Sequence, residues 1–220
     1  MRTLLSPPCR TLSANARFHR VRRFAVSVCA ALLLAAALGA HCQGASALKP
    51  PPGARVAIIE FDDLECPACA HANPLLEQAA AKYKIPWIRH DFLIPYHVWS
   101  KAAAVNARWF DTRGKGLGDE YRNEVFANQN SIETLLQMNQ FTQRFAQSHG
   151  VALPFAIDPQ GKLLAEVNAD VALGTSLGIT QTPSIYIVTA GAKGPSSVQV
   201  SNPDRDLYIT IDRAIEQTRH

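Results

Sequence analysis

The chain has 220 residues, with 22 Lys and Arg against 18 Asp and Glu, and a formal net charge of +4. Six arginines precede Leu48 without any acidic residue, so residues 48–220 carry 16 basic and 18 acidic residues, a net charge of −2. The basic character therefore belongs to the N-terminal segment, and with no basic cluster among aromatic residues we expect no nucleic-acid partner. The remaining length suffices for one compact core, with or without an insertion.

Residues 1–47 have the parts of a secretory signal peptide: a basic start, an apolar run from Phe24 to Leu38, and small residues at 45–47. The run is shorter than the roughly 20 residues that span a bilayer. We therefore predict an exported protein, periplasmic or otherwise extracytoplasmic, with an uncleaved N-terminal membrane anchor as the alternative. His41 before Cys42 argues against a lipoprotein signal. The sequence does not determine the cleavage site, so it also leaves open whether the mature protein retains Cys42.

Cysteine usage is sparse after this leader. Of five cysteines, Cys9 and Cys29 fall within it, and Cys42 does too if cleavage follows residue 47. An exported protein left with Cys66 and Cys69 alone has no framework of structural disulfides. The sequence therefore favours a functional role for this pair.

The pair stands between a predicted strand and a predicted helix. After a Pro-rich lead-in (48–54), residues 55–61 form an apolar, β-branched strand, and an acidic turn leads to a helix from Cys66 to about residue 83. A cysteine at a helix N-terminus has a stabilised thiolate, and Pro67 suits the first turn. Cys69 lies one turn further on and can attack the sulfur of Cys66, so Cys66-Pro-Ala-Cys69 predicts a redox-active dithiol.

Half of a structural zinc site is the alternative for a Cys-x-x-Cys motif. Structural zinc takes four ligands, and here only His71 stands nearby. We therefore predict no metal, and with no flavin or nucleotide motif we predict no cofactor.

The rest of the chain continues with alternating helix and strand signals. The predicted strands are 85–94, 184–189 and 197–200, and the predicted helices are about 98–110, 119–127, 131–149, 162–177 and 204–217. Trp99, Trp109 and Phe110 recur at helical spacing and are predicted to form the core of the central helical block.

This order, with the cysteines between the first strand and helix, resembles the thioredoxin fold. Pro74 inside the first helix and Thr182-Pro183 before a strand support the resemblance. The long helical block resembles the DsbA-type subfamily of exported disulfide oxidoreductases, as do segments 60–69, 119–129 and 177–184. We therefore predict an α/β, thioredoxin-like fold with an inserted helical domain. The predicted parts are 55–97 and 177–220 for the two halves of the thioredoxin-like domain and 98–176 for the insertion.

The resemblance implies roles for further residues. Pro183 would form a cis peptide bond facing the dithiol, and the backbone at Thr182 would pair with an extended client segment. Glu60 would lie buried beneath the dithiol and help to move the proton of Cys69; the alternative is a surface carboxylate at the strand end. Burial would raise the pKa of Glu60 toward neutral.

Thiolate chemistry then predicts the function. Cys66, the more exposed sulfur, forms a mixed disulfide with a cysteine of an exported protein, and Cys69 resolves it. A separate redox partner protein would reoxidise or reduce the dithiol. A disulfide isomerase or reductase of the same fold, or a non-catalytic chaperone or binding module, remains as the alternative.

The residues around the cysteines affect whether the dithiol oxidises or reduces client proteins. Ala68 stands where strongly oxidising members of the family usually have His, and Asp62, Asp63 and Glu65 are expected to oppose ionisation of Cys66. Thr182 resembles the isomerase and reductase branches, but residues 48–54 are too short for their dimerisation domain. We therefore expect a monomer of intermediate potential, with the oxidase direction favoured.

Overall fold

The computed structural model describes residues 48–114, 116–191 and 194–219. The predicted signal peptide and Cys42 lie outside these ranges. Within them, a four-stranded sheet has the spatial order β2-β1-β3-β4, with β1 and β2 parallel and the other pairs antiparallel. The strands are β1 (Val56–Asp62), β2 (Trp87–Asp91), β3 (Ser184–Gly191) and β4 (Gly194–Val200).

Helices connect and cover the strands. They are α1 (Pro67–Tyr83), α2 (Ser100–Asp111), α3 (Leu117–Asn128), α4 (Leu135–Ser148), α5 (Lys162–Ser176) and α6 (Pro203–Gln217). A short 3₁₀ turn, Gln129–Ser131, follows α3. None of the helices in the described ranges is both long and apolar enough to cross a membrane.

Strand β1 is buried along its whole length, and its two faces belong to different cores. Val56 and Ile58 pack with residues of α1 and α6, whereas Ala57, Ile59 and Phe61 pack in the core on the opposite face of the sheet. Because side chains alternate along a strand, Glu60 and Asp62 share the face that α1 covers. Both of these carboxyl groups therefore lie beneath the helix that begins after Cys66.

The helical block between β2 and β3 has an aromatic core. Phe110 lies edge-on to Phe145 with ring centroids 4.8 Å apart, and Tyr121 packs against both rings. Trp99 and Trp109 are buried in the same cluster, which confirms the predicted core residues. Cys66 and Cys69 belong to this cluster as well, so the block helps to position the first turn of α1.

Several element boundaries differ from the predicted ones. Strand β1 continues through Asp62 because that residue pairs with Asp91 of β2, although the sequence suggested a turn there. Helix α4 begins at Leu135 because a capping box fixes its start. The Thr134 side chain accepts from the Gln137 N–H at 3.2 Å, and the Gln137 side chain accepts from the Thr134 N–H at 2.9 Å.

Candidate active site

Cys66 is the N-cap residue of α1, and Pro67 occupies the first helical position. Only 8% of Cys66 is exposed and Cys69 is fully buried, so Cys66 is the more accessible of the two cysteines that the structure describes, both of which are free. The backbone N–H groups of Cys69 and Ala70 donate to the Cys66 carbonyl oxygen at 3.1 Å. These bonds fix the first turn and hold the two sulfurs on the same side of the helix end.

The surroundings of Cys66 favour its thiolate. Hydrogen bonding with the Cys69 thiol, with Thr182 and with the backbone N–H groups of Cys69 and Ala68 outweighs partial burial and lowers the pKa of Cys66 to about 5. The helix-end stabilisation expected from the sequence is therefore present. At neutral pH the Cys66 sulfur is a thiolate and hence a nucleophile.

The loop before β3 faces this sulfur. The Thr182–Pro183 peptide bond is cis, as the resemblance to the thioredoxin fold implied. The Cys66 thiol, when protonated, donates to the Thr182 carbonyl oxygen over 3.4 Å. Ser184 starts β3 and pairs with Phe61 of β1, so the sheet itself fixes this loop near the dithiol.

The carboxylates of the acidic turn before Cys66 accept hydrogen bonds from backbone N–H groups. The Glu65 carboxylate accepts from the backbone N–H groups of Val98, Trp99 and Ser100 at 2.6–3.0 Å, where α2 begins. Asp63 accepts from the Glu65 N–H at 2.8 Å.

The second Asp63 oxygen accepts from the Ile94 N–H at 2.7 Å and lies 2.9 Å from His97 Nδ1. We expected Asp62, Asp63 and Glu65 to oppose ionisation of Cys66, but they are not among the main influences on its pKa, which is lowered overall. The carboxylates of Asp63 and Glu65 are turned to backbone donors, and close hydrogen bonds dominate at Cys66.

The helical block also reaches this loop. Gln129 Nε2 donates to the carbonyl oxygens of Leu64 at 2.7 Å and Cys66 at 3.1 Å. The sequence suggested no role for Gln129, because its partners lie more than 60 residues away. The contact ties the end of α3 to the residues that set the position of Cys66.

Buried carboxyl groups lie under the dithiol. Glu60 is 1% exposed and Asp62 is 2% exposed, so the alternative of a surface carboxylate for Glu60 is wrong. Burial raises the pKa of Glu60 well above its ordinary value, and Asp62 raises it further. Burial likewise raises the pKa of Asp62 to about 7.

Arg89 of β2 lies opposite Glu60, and its positive charge partly offsets the negative charge that Glu60 carries when it is ionised. It stacks on the Trp87 ring at 3.8 Å, and Trp87 Nε1 donates to Glu60 Oε2 at 3.1 Å. Arg89 also donates to the Asn73 side chain of α1. Sequence analysis did not identify Arg89 or Asp62 as buried residues of this site. Val56, Ile58 and Glu60 alternate along β1, and one further step of this alternation would have placed Asp62 on the face that α1 covers.

Cys69 sits above these groups and keeps its proton. Burial, the hydrogen bond to Cys66, and the charges of Asp62, Cys66 and Glu60 all raise the pKa of the Cys69 thiol. The two sulfurs therefore differ: one is an accessible thiolate and the other is a buried thiol one turn along the helix.

An open groove of about 350 Å³ runs beside the cis-peptide loop. Ala68, Thr182 and Pro183 line one part, and Ile185, Val200 and Pro203 line another. His71 at its edge lies 3.0 Å from Asp204 and is exposed. Among the residues that the structure describes, no group of three or more His, Cys, Asp or Glu side chains could hold a metal ion.

Sequence comparison identifies the family. The family model described as Thioredoxin matches residues 51–199. The chain belongs to the thioredoxin family. No curated protein sequence is significantly similar to this family member.

Solved structures share the fold of this thioredoxin-family chain. Wolbachia pipientis alpha-DsbA1 superposes with a TM-score of 0.63 at 18% identity, over 77% of this chain and 90% of that one. The thiol-disulfide exchange protein alpha-DsbA2 from the same organism superposes with a TM-score of 0.59 at 16% sequence identity, and the match covers 76% of this chain and 84% of that one. Pseudomonas aeruginosa DsbA2 superposes with a TM-score of 0.56 at 16% sequence identity, and the match covers 80% of this chain and 97% of that one. These likenesses confirm the α/β, thioredoxin-like fold with its helical insertion.

Proposed function

We propose that this protein is a thiol-disulfide oxidoreductase that exchanges disulfides with cysteines of exported proteins. The observation that carries the proposal is the asymmetry of the two thiols: the pKa of Cys66 is lowered to about 5 at a helix N-terminus, and that of the buried Cys69 is raised. A nucleophilic thiolate with a resolving thiol one turn away is the arrangement that disulfide exchange requires.

The chemistry proceeds through a mixed disulfide. In the oxidase direction a client thiolate attacks the sulfur of Cys66 in the Cys66–Cys69 disulfide, and Cys69 leaves and takes up a proton. A second client thiolate then attacks the client sulfur and releases the Cys66 thiolate. The client gains a disulfide, the protein keeps two thiols and two electrons, and a redox partner protein removes these electrons.

The electrostatics favour this direction. A lowered thiolate pKa stabilises the reduced form and makes Cys66 a good leaving group in the second step. Ala68 supplies a backbone N–H to Cys66 but no side-chain donor, so we keep the intermediate potential expected from the sequence.

Client binding is assigned to the groove beside Thr182 and Pro183. Pro183 has no N–H, and the backbone at Thr182 can pair with an extended client segment next to the sulfur of Cys66. Strand pairing uses main-chain groups, so it suits unfolded clients of diverse sequence. We further propose an extracytoplasmic monomer, with Glu60 beneath the dithiol helping to move the proton of Cys69.

Trapping of mixed disulfides tests the assignment of the two sulfurs. Cys69→Ser should accumulate mixed disulfides with a reduced, unfolded client, because the resolving thiol is absent. The matched variant Cys66→Ser should accumulate few, because Cys69 is buried and protonated. Non-reducing gel electrophoresis after acid quenching measures both.

Equal trapping by the two variants would overturn the assignment. The wild-type protein serves as the control for catalysis: it should oxidise the client, or reduce insulin, at rates far above the uncatalysed reaction. Catalysed reduction without oxidation would indicate the reductase or isomerase alternative. Failure of both reactions with an intact dithiol would indicate a binding module.

A further inference from the structure

The Gln129 side chain joins the end of α3 to two carbonyl oxygens of the turn before α1. Its Nε2 atom donates to the Leu64 carbonyl oxygen at 2.7 Å and to the Cys66 carbonyl oxygen at 3.1 Å. Both partners are acceptors, so the amide must present its two N–H groups to them. The helical block therefore supplies a hydrogen-bond donor to the backbone of the residue that carries the accessible sulfur.

The position of this amide is fixed by buried residues on either side of it in the chain. Phe126 and Ile132 belong to the core cluster that also contains Cys66. The Ile132 N–H donates to the Gln129 carbonyl oxygen at 3.0 Å, and the Ile132 carbonyl oxygen accepts from Trp99 Nε1 at 2.9 Å. Gln129 is itself half-buried, so its amide is held in front of the turn and does not rotate freely in solvent.

Three N–H groups share the Cys66 carbonyl oxygen. The backbone N–H groups of Cys69 and Ala70 and the Gln129 amide each donate to it over an N···O distance of 3.1 Å. A carbonyl oxygen has two lone pairs, so the three donors compete for it. The Cys69 N–H has a second acceptor, because it also hydrogen-bonds the Cys66 sulfur. A donor that satisfies the carbonyl oxygen from outside the helix therefore changes what the Cys69 N–H can give to the sulfur.

We propose that Gln129 is a positioning residue for the reactive cysteine: by donating to the Cys66 carbonyl oxygen, it leaves the Cys69 N–H to the Cys66 sulfur. The thiolate gains most from this N–H, because a charged sulfur is a stronger acceptor than a sulfur in a disulfide. Gln129 therefore stabilises the reduced form more than the oxidised form and makes the couple a stronger oxidant. This inference rests on the proposed function and deepens it, since it makes part of the redox equilibrium depend on the helical block.

Equilibration with glutathione tests this role. The reaction converts the Cys66–Cys69 disulfide and two glutathione thiols to the dithiol and glutathione disulfide, and alkylation of free thiols measures its equilibrium constant. Gln129→Met keeps the length of the side chain but removes the donor. The equilibrium constant should fall about 10-fold, which corresponds to a reduction potential about 30 mV lower. A titration of the thiolate absorbance should show a higher pKa for Cys66 in this variant than in the wild type.

Two further variants separate this role from a loss of structure. Asn130→Ala removes a neighbouring, exposed amide and should leave the equilibrium constant unchanged. Glu65→Gln weakens the hydrogen bonds between the same turn and the start of α2, but it removes no donor from the Cys66 carbonyl oxygen. It should lower the free energy of unfolding without lowering the equilibrium constant. A merely structural role of Gln129 would give this second pattern in Gln129→Met as well, because both redox forms would lose the same stability.

An unchanged or increased equilibrium constant in Gln129→Met would overturn the inference alone. An equally large decrease in Glu65→Gln would also overturn it, because any loosening of the turn would then have the same effect. If Gln129→Met does not fold, Gln129→Ala takes its place, since it also lacks the amide and should give the same decrease. If the wild-type dithiol does not exchange with glutathione at all, the proposed function itself fails, and the inference falls with it.

Discussion

At the scale of single residues, a few hydrogen bonds make the two cysteines chemically different. Cys66 and Cys69 are three residues apart, yet the pKa of Cys66 is lowered to about 5 and that of Cys69 is raised. Cys66 receives donors from the helix end, whereas Cys69 lies in a dry environment above two carboxyl groups. In the proposed oxidoreductase, the direction of exchange depends on how strongly the Cys66 thiolate is stabilised.

Ala68→His tests this dependence. Residue 68 is exposed between the cysteines, so an imidazole can be placed there without displacing the core. A donor or positive charge at this position should lower the pKa of Cys66 further and raise the reduction potential by a few tens of millivolts, where 30 mV corresponds to about 1.4 kcal/mol. Thiolate absorbance and glutathione equilibration measure the two quantities. Ala68→Ser, which adds a hydroxyl without a charge, is the control, and unchanged values in Ala68→His would show that helix-end electrostatics do not govern Cys66.

At the scale of elements, α5 packs closely on the sheet. A Cβ atom on Gly174 would lie 2.5 Å from Cδ2 of Phe92 and 3.2 Å from Cδ1 of Phe61. Both rings are buried, and Phe61 belongs to the strand that leads to the dithiol. Glycine at this position therefore sets how near the helix comes to β1 and β2.

Gly174→Ala should destabilise the protein, although alanine is the better helix former. Overpacking a rigid core costs about 1–3 kcal/mol, which exceeds the propensity gain of about 1 kcal/mol. Urea unfolding measures the change. Thr175→Ala, an exposed position on the same helix, is the matched control and should change stability little; a more stable Gly174→Ala variant would mean that α5 is free to move away from the sheet.

Local patterns predicted the elements that carry the cysteines, because each pattern is contained in adjacent residues. Cys66 at the start of α1 and the burial of Trp99 follow from such patterns, whereas the cis bond before Pro183 was implied by the resemblance to the thioredoxin fold. The capping box at Thr134 was present in the sequence but was not used, so the predicted start of α4 was several residues early.

The charge environment of the dithiol could not be predicted in the same way. Asp62 looked like part of an exposed acidic turn, and its burial depends on pairing with β2 and on the cover from α1 and α3. The contact of Gln129 with the Cys66 carbonyl oxygen joins residues 63 positions apart. Such contacts depend on the tertiary arrangement, which local periodicity does not encode.

At the scale of the whole molecule, stability should depend on pH in a way that differs between the redox states. The pKa of Cys66 in the folded, reduced protein is about 5, below the ordinary value of 9.0, so unfolding of the reduced protein takes up a proton between these values. The thiolate therefore contributes stability that is fully present above about pH 9 and is lost as the pH falls toward about 5. The oxidised protein has no such contribution.

The buried carboxyl groups give stability the opposite pH dependence, in the reduced and in the oxidised protein alike. The raised pKa of Asp62, about 7 against an ordinary 3.8, gives stability that is lost as the pH rises through this interval. The difference between the unfolding free energies of the reduced and oxidised forms should isolate the thiolate and increase from about pH 5 to about pH 8. Urea unfolding of both forms across this range measures it, and a difference that does not change with pH would contradict a lowered pKa at Cys66.

The central claim is that Cys66 and Cys69 form an oxidising couple because the protein stabilises the Cys66 thiolate. The reduction potential of this couple, measured by equilibration with glutathione and alkylation of free thiols, tests the claim most directly. We predict a value between about −270 mV, typical of thioredoxin, and about −120 mV, typical of DsbA. A value at or below about −270 mV would contradict the account, because the disulfide would then be too stable to oxidise client proteins.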